Sequence, residues 1–295
     1  MQVPMLLKPI ETTAAAILIG ARRTQLPIGR MLILSFLAGA YIAFAAQASN
    51  MGAYNLLSMP ETFGLGRTVA GLIFGSGLVF VVLSGCELFT GNVLITASLA
   101  ANEVTAARML RNWFWVYLGN FLGSVFIAWS LCQSGLWGSS GHLLGAMTLK
   151  IALGKISLSF GSALVLGILC NWLVCLAVWL SFSTMSMPAK VMGIFLPIFM
   201  FVLSGFEHSI ANMYYIPAGI MAAQDPAIAA KAMAIGVSPE GIASLTWGNF
   251  VLKNLIPVTL GNMIGGILFI AMAYFYGHGK PSKEILESVK EGIFK

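Results

Sequence analysis

The chain has 295 residues, 58% of them hydrophobic and 9% charged, with a formal net charge of +6 at pH 7 and a mean hydropathy of +0.89. Soluble domains carry roughly 25% charged residues, so this composition excludes a soluble globular protein and calls for a bilayer. The basic excess is scattered along the chain, which makes nucleic acid a poor partner.

Residues 1–30 hold Glu11 and scattered basic side chains instead of a short apolar core before a small-residue site, so no cleavable signal peptide is expected. Residues 5–23 read as an amphipathic helix lying at the inner membrane surface. Apolar runs long enough to cross the hydrocarbon, about 20 residues, follow near 31–49, 68–88, 113–133, 156–182, 188–206 and 254–276. The expected fold is therefore all-α, with six transmembrane helices in a pore domain over 31–277. The charged, amphipathic stretch 278–295 caps the last span on the cytoplasmic side.

The second and fifth spans are too long. Weakly polar sequence runs from about 68 to 101 and from about 188 to 221, 34 residues each. A straight helix of that length would measure about 50 Å, against a hydrocarbon core of about 30 Å. Both must be interrupted, and the interruptions belong at Gly85–Asn92 (GCELFTGN) and Gly205–Asn212 (GFEHSIAN). Gly, Glu and Asn recur there at an offset of 120 residues. RNWFWVYLGNFLG from Arg111 and KNLIPVTLGNMIG from Lys253 repeat a base, an Asn, a Leu-Gly-Asn and a final Gly at an offset of 142. The chain reads as a duplication with repeats over about 31–135 and 156–277. Three spans per repeat force the second copy to enter the membrane upside down, the inverted-repeat plan in which broken helices meet near the midplane.

Termini in the cytoplasm place eleven basic residues inside, Arg22, Arg23 and Lys295 among them, and leave Arg67, Lys150, Lys155, Lys231 and Lys253 outside. This satisfies the positive-inside rule. Gly119, Gly123, Gly261 and Gly265 form small-xxx-small faces for close helix packing, as do Gly71 and Gly75. Cys86, Cys132, Cys170 and Cys175 lie in apolar segments without metal-ligand spacing, and no cofactor is called for.

Of ten acidic residues, only Glu87 and Glu207 sit within long apolar stretches. A carboxylate beside an anion path repels the anion, so both are expected to turn away and accept bonds from the freed amides of the breaks, with Asn92 and Asn212 as structural neighbours. Direct proton relay by these carboxylates is the competing reading. His208 alone among three histidines lies at membrane depth, where an ionisable group is costly and usually functional. A neutral histidine bonded to backbone carbonyls is the bland alternative. Thr90 sits at comparable depth in the first break and could offer its hydroxyl to His208. Asn171, Asn120 and Asn262 are mid-membrane amides able to satisfy backbone or line a path.

GFEHSIANM, LIPVTLGNMIGG, CELFTGNVL and CNWLVCLAVW together resemble the formate/nitrite transporter family, over roughly residues 30–277. The resemblance implies an aquaporin-like six-helix protomer, a homopentamer with one pore per protomer, and an integral plasma-membrane location. By position, His208 matches the family's pore histidine and Thr90 its partner on the interrupted second helix. Lys155 matches the basic residue near the outer end of the fourth span, and Asn262 the asparagine that pairs with it. Phe74, Leu78, Phe89, Phe201, Asn171 and Val174 match positions lining the constrictions. Some formate-type members carry Asp where this chain has Glu87, and others share Glu. The segment MYYIPAGI looks more like formate-type than nitrite-type members.

The implied function is passage of a small monovalent anion, formate first, with nitrite or hydrosulfide as alternatives. A small anion is costly to place in an apolar constriction. Lys155 and the positive ends of half-helices would attract it, and Thr90 and His208 would bind it midway. Protonation of formate at His208 would remove the charge. A neutral-solute channel of the aquaporin or ammonium type shares the inverted repeat and a pore histidine, but has no obvious need for a lysine at the mouth. A membrane enzyme finds too little chemistry around one buried histidine.

Overall fold

The computed structural model describes residues 6–293, so Lys295 and residues 1–5 of the expected terminal segments lie outside the described residues. Six helices are long and apolar enough to cross a membrane, and they bound the expected spans. In chain order the helices that matter are α1 (Pro9–Thr24), α2 (Ile28–Leu57), α3 (Phe63–Leu83), α4 (Phe89–Asn92), α5 (Ile95–Ala100), α6 (Ala106–Gln133), α7 (Leu143–Ile156), α8 (Phe160–Phe182), α9 (Met187–Ser204) and α10 (Ser209–Ala222). After α11 (Pro226–Ala234) and α12 (Pro239–Ala243), the sixth span α13 covers Trp247–Gly277, and α14 is Lys283–Ile293.

The long second and fifth segments stop in the same way. Gly85 (φ +73°) and Gly205 (φ +80°) adopt the left-handed conformation just past α3 and α9, which a residue without Cβ reaches at no steric cost. The N–H of Cys86 then bonds Val81 O at 2.9 Å, and the N–H of Phe206 bonds Phe201 O at 3.1 Å. Helix resumes at Phe89 and at Ser209.

Close helix contact explains the glycine faces. A Cβ on Gly119 or Gly123 would strike Ser35 or Phe36 O of α2, and one on Gly261 or Gly265 would strike Leu164 O or Ile168 O of α8. Gly71 and Gly75 lie flat against Phe199 and Phe195 of α9. The sixth span widens into π-helix over Phe250–Leu255 and Ile267–Met272. The first widening directly precedes Pro257, which has no N–H to offer Lys253 O.

α1 does not lie on the outside of the bundle. Its Thr12–Ile17 stretch, Gly20 and Thr24 are buried, Ser98 Oγ of α5 donates to Ile17 O at 2.7 Å, and α14 packs along its other side. The helix is well formed for this role. Pro9 opens it, the Glu11 carboxylate accepts the Lys8 N–H at 2.7 Å, and Arg22 and Arg23 close its last turn, complementing the dipole. In the second half α7 takes the matching place against α10. A helix too short to span thus packs beside the interrupted helix of each half.

Candidate functional site

Each break is held by the same polar set. Asn120 Oδ1 accepts the Phe89 N–H at 2.9 Å, while its Nδ2 donates to Ser35 O (2.7 Å) and Glu87 O (3.0 Å). Asn262 Oδ1 accepts the Ser209 N–H at 2.9 Å, and its Nδ2 donates to Gly167 O (2.8 Å) and Glu207 O (2.9 Å). Asn92 Nδ2 donates to Glu87 Oε2 (2.6 Å) and Asn112 Oδ1 (2.9 Å). Asn212 Nδ2 donates to Glu207 Oε2 (2.6 Å) and Asn254 Oδ1 (2.7 Å). A base completes each set: Arg23 Nε stands 3.4 Å from Glu87 Oε1, and Lys155 Nζ 2.9 Å from Glu207 Oε1.

Several expectations need correction here. Glu87 and Glu207 accept from asparagine side chains and a base, and Glu207 also lines a charged cavity. The freed amides go to Asn120 and Asn262 instead. Asn262 therefore has its whole amide committed to backbone, and it does not pair with Lys155. Lys155 sits in the last turn of α7, one helix before the fourth span, and its partner is Glu207. Asn171 also serves backbone, donating to Thr90 O at 3.1 Å and Asn262 O at 2.7 Å. Phe89 packs edge-on against Tyr117 and Trp113, at centroid distances of 4.8 and 6.0 Å. Its neighbour Leu88, the N-cap of the restarted helix, takes the pore-lining position expected of it.

The pair the breaks bring together is Thr90 and His208. Thr90 Oγ1 lies 2.9 Å from His208 Nε2, and both side chains are buried. His208 is the N-cap of α10, where its Nδ1 accepts the Ala211 N–H at 3.0 Å. With Nδ1 engaged as an acceptor, the neutral ring carries its proton on Nε2 and donates it toward Thr90. Asn171 and Cys175 (Sγ 3.2 Å from Thr90 O) hold the Thr90 backbone from behind. Both half-helices restart at this pair, so their positive ends converge on it.

Two cavities meet at His208. One, of about 350 Å³, is lined by Arg67, Lys150, Lys155 and Glu207 among others and reaches Phe74, Phe201 and His208. The other, of about 10 Å³, is bounded by the same three residues together with Ile42, Leu78, Leu88, Val174 and Ile198. Phe74 and Phe201 pack edge to face at 5.7 Å, and Phe201 stacks on the His208 ring at 5.9 Å. The arrangement is a wide charged chamber narrowing through two phenyl rings to a polar pair, then an apolar throat.

Sequence reasoning assigned no site role to Arg23, Arg67, Asn112, Asn254 or Leu88. Asn112 and Asn254 stand inside the 142-residue repeat, so that signal was present. Arg23 precedes Lys155 by 132 residues, an offset that only the folded pairs expose. Among the described residues, no group of three or more His, Cys, Asp or Glu could hold a metal ion.

A profile of the formate/nitrite transporter family matches residues 10–276. The formate channel FocA of Escherichia coli K12 is 39% identical over 254 residues, covering 86% of this chain and 88% of that protein. A probable formate transporter of Methanothermobacter thermautotrophicus is 36% identical over 286 residues, covering 92% and 97%. Among solved structures, a pentameric formate channel with formate bound superposes with a TM-score of 0.75 at 36% identity, covering 85% of this chain and 97% of that one.

Proposed function

The chain belongs to the formate/nitrite transporter family, and from that premise we propose that it assembles as a homopentamer whose protomers each pass formate across the plasma membrane, with both termini in the cytoplasm. The observation that carries the reading is the Thr90–His208 pair at 2.9 Å, set where two half-helix N-termini, a charged chamber and an apolar throat converge. The same-family relatives named as formate channels support the substrate.

Formate enters the chamber with its water shell. Phe74 and Phe201 strip water and exclude larger ions. At the narrowest point the anion would otherwise lie in apolar surroundings at a cost of many kcal/mol. His208 Nε2–H and the Thr90 hydroxyl donate to its oxygens, and the half-helix dipoles favour its charge. Hydrogen bonds to a charged group contribute about 1.5–3 kcal/mol each.

Proton transfer to formate asks more of His208. A neutral imidazole that gave up its Nε2 proton would be left as an anion, so the donor has to be the imidazolium. That form needs a proton on Nδ1, which the Ala211 N–H occupies. The proton-delivering state is one in which His208 has left its cap, at a cost of about 0.5–2 kcal/mol. In the capped state His208 positions the anion. Uptake of formate, nitrite, hydrosulfide and a neutral solute into proteoliposomes tests the reading. Formate flux well above that of the neutral solute supports it, and preferred passage of the neutral solute overturns it.

A further inference from the structure

We propose that Arg67 supplies the uncompensated charge that concentrates anions in the chamber, and that Lys155 does not; the proposal rests on the formate-pore reading. The charged side chains lining this cavity are Arg67, Lys150, Lys155 and Glu207. Lys155 and Glu207 form a pair at 2.9 Å, both largely buried, and so cancel toward an approaching ion. Lys150 is exposed, with Nζ 3.3 Å from Ile235 O, and salt screens it. Arg67 differs from both. Its Nη2 donates to Val202 O and its Nε to Leu203 O at 3.4 Å, and among the described residues it makes no ion pair.

Those acceptors explain why an arginine stands there. α9 ends at Ser204, so Leu203 O lacks a helical donor and Val202 O has only the Gly205 N–H, at 3.1 Å. A guanidinium reaching from α3 donates to both and complements the negative end of the helix. Carbonyl oxygens do not neutralise it, however. A guanidinium has five N–H groups in a fixed fork, so donors remain once these two bonds are made. The side chain is half-buried, where its charge is less screened than that of Lys150.

The size of the chamber suits an anion that still carries water. At about 350 Å³ the cavity has room for a small anion together with several waters of about 30 Å³ each. The chamber therefore holds a hydrated small anion near Arg67, before Phe74 and Phe201 strip it.

Arg67→Gln keeps donors for Val202 O and Leu203 O but removes the charge; Arg67→Lys keeps the charge and loses the fork. Formate uptake by the full reconstituted chain is measured against concentration at low and high ionic strength. At low salt, Arg67→Gln is expected to raise KM about tenfold with little change in maximal flux. The gap closes at high salt, and Arg67→Lys stays near wild type. The double variant Lys155→Gln/Glu207→Gln should keep the salt dependence of KM. An unchanged KM in Arg67→Gln overturns the proposal. So do equal, salt-independent losses in both Arg67 variants, which would mean that Arg67 only secures the end of α9. Arg67→Met is a second neutral replacement should the Gln variant fail to assemble. A wild type that passes no formate defeats the underlying reading alone, since the charge argument is then tested with nitrite in the same series.

Discussion

The two breaks share a scaffold and differ in what stands on it. Glu87, Asn92, Asn112, Asn120 and Arg23 in the first half stand in the places of Glu207, Asn212, Asn254, Asn262 and Lys155 in the second and share most of their bonds. At the tip of each restarted helix the halves part. Position 88 is leucine where 208 is histidine, and position 90 is threonine where 210 is isoleucine. The base differs as well. Arg23 reaches Glu87 and also donates to Asn92 Oδ1 at 2.9 Å, whereas the equivalent Asn212 Oδ1 has no partner among the described residues. Residues that keep their counterpart hold the backbone; residues that lost it define the path.

The strongest way to test the shared scaffold is to remove a carboxylate. Glu87→Ala or Glu207→Ala leaves a buried base without its counter-ion, which costs about 3–5 kcal/mol. Thermal unfolding in detergent should show both losses. Glu87→Ala should be the larger, because Lys155 can turn to chamber water. Similar stability to wild type in either variant would break the comparison.

His208→Leu makes the second break resemble the first. Loss of a hydrogen bond to a charged ligand, about 1.5–3 kcal/mol, predicts formate flux lowered by about 10- to 100-fold at unchanged oligomeric mass. Leu88→His, by contrast, should not rescue that variant, since Thr90 faces position 208. Restored flux in the double variant would mean that the halves are interchangeable.

Gly123→Ala and Gly265→Ala press a methyl onto Phe36 O and Ile168 O in equivalent places. Each is expected to lower stability by about 1–3 kcal/mol, by similar amounts in a thermal melt. A loss in only one half would show that packing symmetry is looser than the backbone implies. Thr90→Val is the mildest change. It removes one hydroxyl, keeps the shape and leaves His208 as a donor, so flux should fall about tenfold, the lower end of the 1.5–3 kcal/mol of a hydrogen bond to a charged ligand.

Much of this was legible in the chain because its causes are local or periodic. Bilayer thickness fixes the spans, and a 34-residue apolar stretch has to stop somewhere within it. The Gly-Glu-Asn recurrence located both stops. What escaped depends on contacts between distant segments. α1 reads as a surface helix because the residues covering it, on α5 and α14, lie far along the chain. Lys155 reads as a free mouth charge because its partner Glu207 is 52 residues away. Phe89 and Leu88 differ by one residue, and only the point of helix restart decides which of them faces the throat. Arg67 read only as one of the five basic residues on the outer side, since nothing local marks the carbonyls it serves.

Formate flux between about pH 5 and 8, around the ordinary histidine value near 6.5, tests the central claim most directly when wild type is set beside His208→Asn. Asparagine keeps a donor toward Thr90 but cannot carry a proton. The account predicts wild-type flux rising as pH falls, and a His208→Asn variant that conducts with a flat profile. The same variant showing the wild-type rate and the wild-type pH profile would contradict it.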